Sequence, residues 1–197
     1  DSKGYIFDPN GIDADKLAVL EPDLAGRSQR GLFFSSEAHL SPRDALGCLV
    51  DELKSRNITI GIGDGLDFSD NAKNVSLEKS INRIDCRGLS AADALKDLRG
   101  VKGEMLVIRS ADINLSRPVR LLHPRIPIYL VPRGDGVFML GATQIESKNG
   151  HFATVRSVLE LLSAAYALHP AFGEAEILEI GVDARPAFPD NLPRIRR

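Results

Sequence analysis

Few residues in this chain have both the type and the spacing to do chemistry. Gly61, Gly63 and Gly65 suggest a phosphate-cradling turn. A dinucleotide fingerprint needs a third glycine three residues after the second, opening a helix. Leu66 stands there, followed by Asp67 and Asp70, so a plain turn is the expectation. Cys48 and Cys86 are the only cysteines, too few for a disulfide framework or a thiolate zinc site. Cys48 falls beside the apolar face of a helix and reads as a small buried hydrophobe. The histidines at 39, 123, 151 and 169 have no metal-ligand spacing. His123 and His169 each precede proline and mark element boundaries. Tyr129, Val131 and Arg133 share one face of a strand, while Ile128 and Leu130 share the other, an arrangement compatible with a polar pocket face. Arg185, in Ala184-Arg185-Pro186, is by its local sequence an arginine in a loop. Arginine is also the side chain best suited to bind a carboxylate bidentately without losing its charge.

These residues need elements to position them. Ser41, Pro42 and Asp44 mark a helix start, and Leu46, Leu49, Val50 and Leu53 repeat on one helical face. Asn57 ends that helix, and Ile58-Thr59-Ile60 and Ile81–Cys86 read as strands. Ser90 caps a second helix containing Leu95 and Leu98. Residues 41–98 therefore read as helix, strand, loop, strand, helix. From residue 103 the pattern changes. Glu104–Arg109, Pro127–Pro132 and Val137–Thr143 read as strands, the last two joined by the turn Arg133–Gly136. Residues 154–168 form an amphipathic helix, Ile177–Gly181 a last strand, and Arg185–Arg197 an extended, proline-rich tail. Strands grouped around one helix make an antiparallel layer over 103–185. The expected class is α+β: an α/β piece at 41–98 and a largely antiparallel sheet with one packed helix.

The bulk numbers narrow the function. A net charge of −2 over 197 residues argues against nucleic-acid binding through phosphates. No apolar run approaches the roughly 20 residues needed to span a bilayer, and the first residues do not form a signal peptide, so a cytoplasmic protein is the default. The chain begins with Asp1, not Met, and reads as a piece of something larger.

A family resemblance adds the rest. Tyr129-Leu130-Val131-Pro132-Arg133 resembles a Y-(I/L)-V-P-R hairpin, and Gly141-Ala142-Thr143 with Glu146 resembles a G-A-T-x-x-E stretch. Lys102-Gly103-Glu104 is similar to an (R/K)-G-(Q/E) strand entry. His169-Pro170-Ala171-Phe172 and Arg185-Pro186-Ala187-Phe188-Pro189-Asp190-Asn191-Leu192-Pro193 continue the likeness. Together they resemble the glycine oxidase branch of the D-amino-acid oxidase family, the branch serving bacterial thiamine synthesis. The resemblance implies an FAD-dependent oxidase that converts glycine or another small amino acid to its imine and releases hydrogen peroxide.

It implies roles for particular residues. Arg185 matches the carboxylate-binding arginine, Tyr129 the active-site tyrosine, and Gln144 a pocket-lining position. Cys86, Arg87 and Gly88 match a strand end passing near the cofactor, and Leu66 a main-chain contact to adenine. No residue is assigned as a catalytic acid or base, because the flavin performs the redox step. Residues 1–40 and 99–185 correspond to the substrate-binding domain, 41–98 to part of the FAD-binding domain, and 186–197 to a tail leading to a further flavin segment. The N-terminal GxGxxG unit of the family has no counterpart here, so the chain alone is expected to hold no FAD and to be inactive. Self-association is compatible with the sequence; a membrane partner is not expected. Asp183, two residues before Arg185, departs from the family's Gly-Leu-Arg-Pro, and either competes for Arg185 or points to solvent. Rival readings of the same fold are a cofactor-less binding module and an inactive remnant.

Overall fold

A computed structural model describes residues 10–61 and 84–195. The chain divides into two compact units: residues up to His39 together with those from Gly88 onward, and Leu40–Arg87.

The first unit is built on an antiparallel sheet. Its axis is β3 (Arg99–Arg109). One edge of β3 pairs along its whole length with β8 (Glu176–Ala187). The other edge pairs with β6 (Val137–Gly141) and, further toward the start of β3, with β7 (Ile145–Glu146). Beyond β6 come β5 (Ile128–Pro132) and the edge strand β4 (Val119–Leu121). The β5–β6 connection is the expected hairpin. Gly134, Asp135 and Gly136 all take positive φ, which glycine adopts freely and aspartate tolerates. A Cβ on Gly136 would lie 2.6 Å from the Ser110 carbonyl oxygen, so the turn needs glycine there on both counts.

Alternation along β3 defines the two faces. Lys102, Glu104, Leu106 and Ile108 are buried, while Val101, Gly103, Met105 and Val107 are only partly covered. The buried face meets α3 (Val155–Leu168). Leu106, Ile108, Leu130, Phe138 and Leu140 pack with Leu161, Ala164, Ala165 and Phe172 as one core. The Phe138 and Phe172 rings meet edge to face at 5.5 Å. Thr154 caps α3 by accepting from the Ser157 amide. Arg27 donates to the Leu168 and Ala167 carbonyls at its other end, where cations and donors are favoured. His169 both ends α3 and caps the following 3-10 turn. The N-terminal part of this unit pairs β1 (Asn10–Asp13) with β2 (Arg30–Phe33), with α1 (Ala14–Leu20) between them.

The structure is α+β, as expected, but four local readings change. Ile58-Thr59-Ile60 is not a strand, nor is the described part of 81–86, Ile84–Cys86. A strand persists only where a neighbour satisfies its backbone, and the described residues of the second unit, which holds both segments, supply none. The segment after Ser90 is a short 3-10 turn, Gly88–Asp93, and it belongs to the first unit. Helix α2 (Pro42–Ser55) forms as expected, with Pro42 in its first turn, but Ser41 makes no side-chain cap and no α2 residue is buried. Cys48 is accordingly exposed, because the apolar face beside it has no cover among the described residues. Finally, β8 continues to Ala187, so Arg185 lies in a strand. The tail beyond it is tied back, since Arg99 binds Glu146, the Phe188 carbonyl and Asn191.

Candidate functional site

Strand register brings the expected substrate residues onto one surface. Arg185 pairs with Val101, Asp183 with Gly103, and Gly181 with Met105 across β8 and β3. Met105 pairs with Gly141, and Gly141 with Tyr129, across β6 and β5. Paired residues project to the same side, so Arg185 and Tyr129 both stand on the sheet face opposite α3. The helix side is filled by core side chains; Arg185 and Tyr129 stand on the other.

Three glycines clear that face. Gly103, Gly141 and Gly181 all lie on it around Met105. The Arg185 guanidinium lies over Gly103, where a Cβ would be 3.4 Å from Nη2, and the Tyr129 ring lies over Gly141, where a Cβ would be 2.7 Å from the hydroxyl oxygen. One strand spacing and two residue rises separate the two glycine positions, about 8 Å in all. Each side chain thus lies on a glycine, and Met105 rises from the same face between them, its Cγ 3.0 Å from where a Gly181 Cβ would be.

Arg185 is available to an incoming anion. Its one hydrogen bond among the described residues runs from Nη2 to the Thr143 carbonyl at 3.5 Å, and none of their carboxylates lies within salt-bridge distance. Asp183 leaves it alone: the Asp183 carboxylate accepts from the Ala184 amide at 2.7 Å and is exposed. The Tyr129 hydroxyl has no hydrogen-bond partner among the described residues. A guanidinium with most of its five donors unused, beside a free phenol, can bind a carboxylate.

The other expected residues are placed less tightly. Gln144 follows Thr143 but is exposed and makes no hydrogen bond among the described residues. Gly88 has a φ of +64° and sits 3.9 Å from the Pro186 ring, measured from where its Cβ would be, next to Arg185 in sequence. Arg87 is engaged by Asp85, which accepts from its amide and its guanidinium and is held below the usual carboxylate range by those bonds. Cys86 is exposed; it and Arg87 close the second unit. Leu66 lies outside the described residues. The residue reading missed these glycines. Gly103, Gly141 and Gly181 were open to notice as glycines inside strand patterns, a sign of close backbone approach.

The architecture is an α+β layer with one face closed by a helix and the other carrying Arg185 and Tyr129 over glycines. The chain belongs to the family of FAD dependent oxidoreductases, whose family model matches residues 2–197. It is 50% identical over 187 residues to a protein from Rhizobium etli described as a putative thiamine biosynthesis oxidoreductase ThiO, covering 93% of this chain and 54% of that relative. Over 92 residues it is 33% identical to the bifunctional protein ThiO/ThiG of Trichormus variabilis, covering 47% of this chain and 14% of that one. Its fold matches a crystal structure of glycine oxidase from Bacillus cereus with a TM-score of 0.71 at 20% identity, over 97% of this chain and 56% of that one. The chain thus spans about half the length of the ThiO relative.

Proposed function

We propose that this chain supplies the amino-acid-binding face of an FAD-dependent oxidase that oxidises glycine or a similarly small amino acid, and that the oxidase serves thiamine biosynthesis. The observation carrying this reading is the uncommitted Arg185 guanidinium, set over Gly103 on the same face as Tyr129. Arg185 holds the substrate carboxylate, and the Tyr129 hydroxyl donates to the same group. Fixing the carboxylate at both points orients the Cα, which converts an encounter into a near-attack arrangement. When bound, FAD supplies the acceptor for the hydride leaving Cα, giving the imine, and passes the electrons to oxygen as hydrogen peroxide. Gly88, Cys86 and Arg87, together with Leu66, are the residues we assign to the cofactor. Residues 1–40 and 99–185 then form the substrate-binding domain, with residues 88–98 folded into the same unit, and the remainder of 41–98 forms part of the flavin-binding domain. The thiamine assignment rests on the description of the Rhizobium etli relative.

The test is glycine-dependent peroxide release by the full product of the gene, with FAD present. A hydrogen bond to a charged group contributes about 1.5–3 kcal/mol, and Arg185 is exposed here, so Arg185→Ala is expected to raise the KM for the amino acid at least about tenfold. Wild-type protein that releases no peroxide from any small amino acid sinks the reading.

A further inference from the structure

Behind the site face lies a charged group that substrate binding does not itself require. Glu104 follows Gly103 on β3 and so points to the core side, where it is 1% exposed. A buried carboxylate is costly unless charges and donors surround it. Oε1 receives Lys102 Nζ at 2.8 Å and the Thr154 amide at 3.0 Å; Oε2 receives the Thr143 hydroxyl at 3.1 Å. The main chain of Glu104 grips the same threonine again. Its amide donates to Thr143 Oγ1 at 2.9 Å, and its carbonyl accepts from the Thr143 amide at 3.2 Å. Thr143 is the residue whose carbonyl receives Arg185.

We propose that Glu104 is the positioning residue for Arg185, acting through Thr143, whose three bonds to Glu104 aim its carbonyl at the guanidinium. This rests on Arg185 being the carboxylate-binding cation. Residues 142–144 lie between β6 and β7. The Glu104 main chain holds the Thr143 amide and hydroxyl, and the Glu104 carboxylate fixes the same hydroxyl and also holds the first residue of the α3 cap. Lys102 compensates its charge.

The test reads the motion of Arg185 itself. In isotope-labelled chain, the Arg185 Nε–H heteronuclear NOE is expected to be high in wild type. It should drop measurably in Glu104→Ala and in Thr143→Val, and be largely retained in Glu104→Gln, whose amide oxygen still accepts from Thr143. Thr143→Val leaves Glu104 with Lys102 and Thr154, so it decides the matter if Glu104→Ala does not fold. In the full gene product, both variants should raise the amino-acid KM by about tenfold with kcat within about twofold, and that increase should vanish in an Arg185→Ala background. An unchanged NOE with a lowered melting temperature would show that Glu104 only stabilises the fold and would overturn the proposal. Wild-type protein with no oxidase activity sinks the reading of the function instead, and the NOE still decides the positioning.

Discussion

Arg185 and Glu104 show how differently two charges act one strand apart. Arg185 keeps its donors free on the open face; Glu104 has both carboxylate oxygens occupied on the closed one. Burial pushes the Glu104 carboxyl up, but hydrogen bonds from Lys102, Ser157, Thr154 and Thr143 outweigh it, and the group titrates below its usual 4.5. A carboxyl depressed by folding contributes stability that is fully present above its unfolded value and is lost as acid takes it through its folded value. Melting temperature should therefore hold steady from neutral pH down to about 5 and fall below about 4.5. Asp85 and Asp190 are also lowered by arginine partners and add to the fall in the same direction, although both are exposed and their share is small. Thermal melts of wild type and Glu104→Gln across pH 3–7 check this: the variant should lose part of the acid dependence, and identical profiles would rule out Glu104 as a source.

At the scale of elements, the site is a matter of register. Tyr129 reaches its place because β5 and β6 are locked by the glycine turn at 134–136 and Gly141 leaves the ring room. A one-residue slip would send Tyr129 into the core and Leu130 to the site. Gly141→Ala tests the close approach directly. Its Cβ would fall 2.7 Å from the phenol end of Tyr129, so the ring must swing away as a whole. The expected outcome is a severalfold higher KM for the amino acid with a melting temperature close to wild type; an unchanged KM would mean that the ring position does not matter for binding.

At the scale of the molecule, stability is unevenly divided. The first unit holds the core around Leu106, Leu130, Phe138 and Leu161. In α2, Leu46 and Leu49 are more exposed than buried. Segments with little buried apolar surface open at lower free energy than core strands. Amide hydrogen exchange in the chain should be slowest at Leu106 and Leu140 and faster by orders of magnitude across Leu49 to Leu53. Equal protection of the two would show that α2 is covered in solution.

How much of this was legible beforehand depended on whether the deciding interaction was local. The β5–β6 turn, α3 with its Thr154 start, and the helix entry at Pro42 are written in neighbouring residues, through turn chemistry, capping and period 3.6. The roles of Tyr129 and Arg185 came only with the family resemblance, since locally Arg185 reads as an arginine in a loop. Local signals failed where a distant partner decides. Ile58–Ile60 has strand composition but no neighbour among the described residues, and β8 outruns its apolar pattern because β3 extends beside it to Arg99. Nor does one dimension show that Arg185 and Tyr129, fifty-six positions apart, share a face. Pairing across β8, β3, β6 and β5 sets that, and with it the glycines beneath them and the Glu104 contacts behind. By itself, then, the sequence determined the elements whose signals are local and the chemistry of the side chains. Only the tertiary structure decided which of them meet, because side-chain direction in a sheet is set by register against strands far away in the chain.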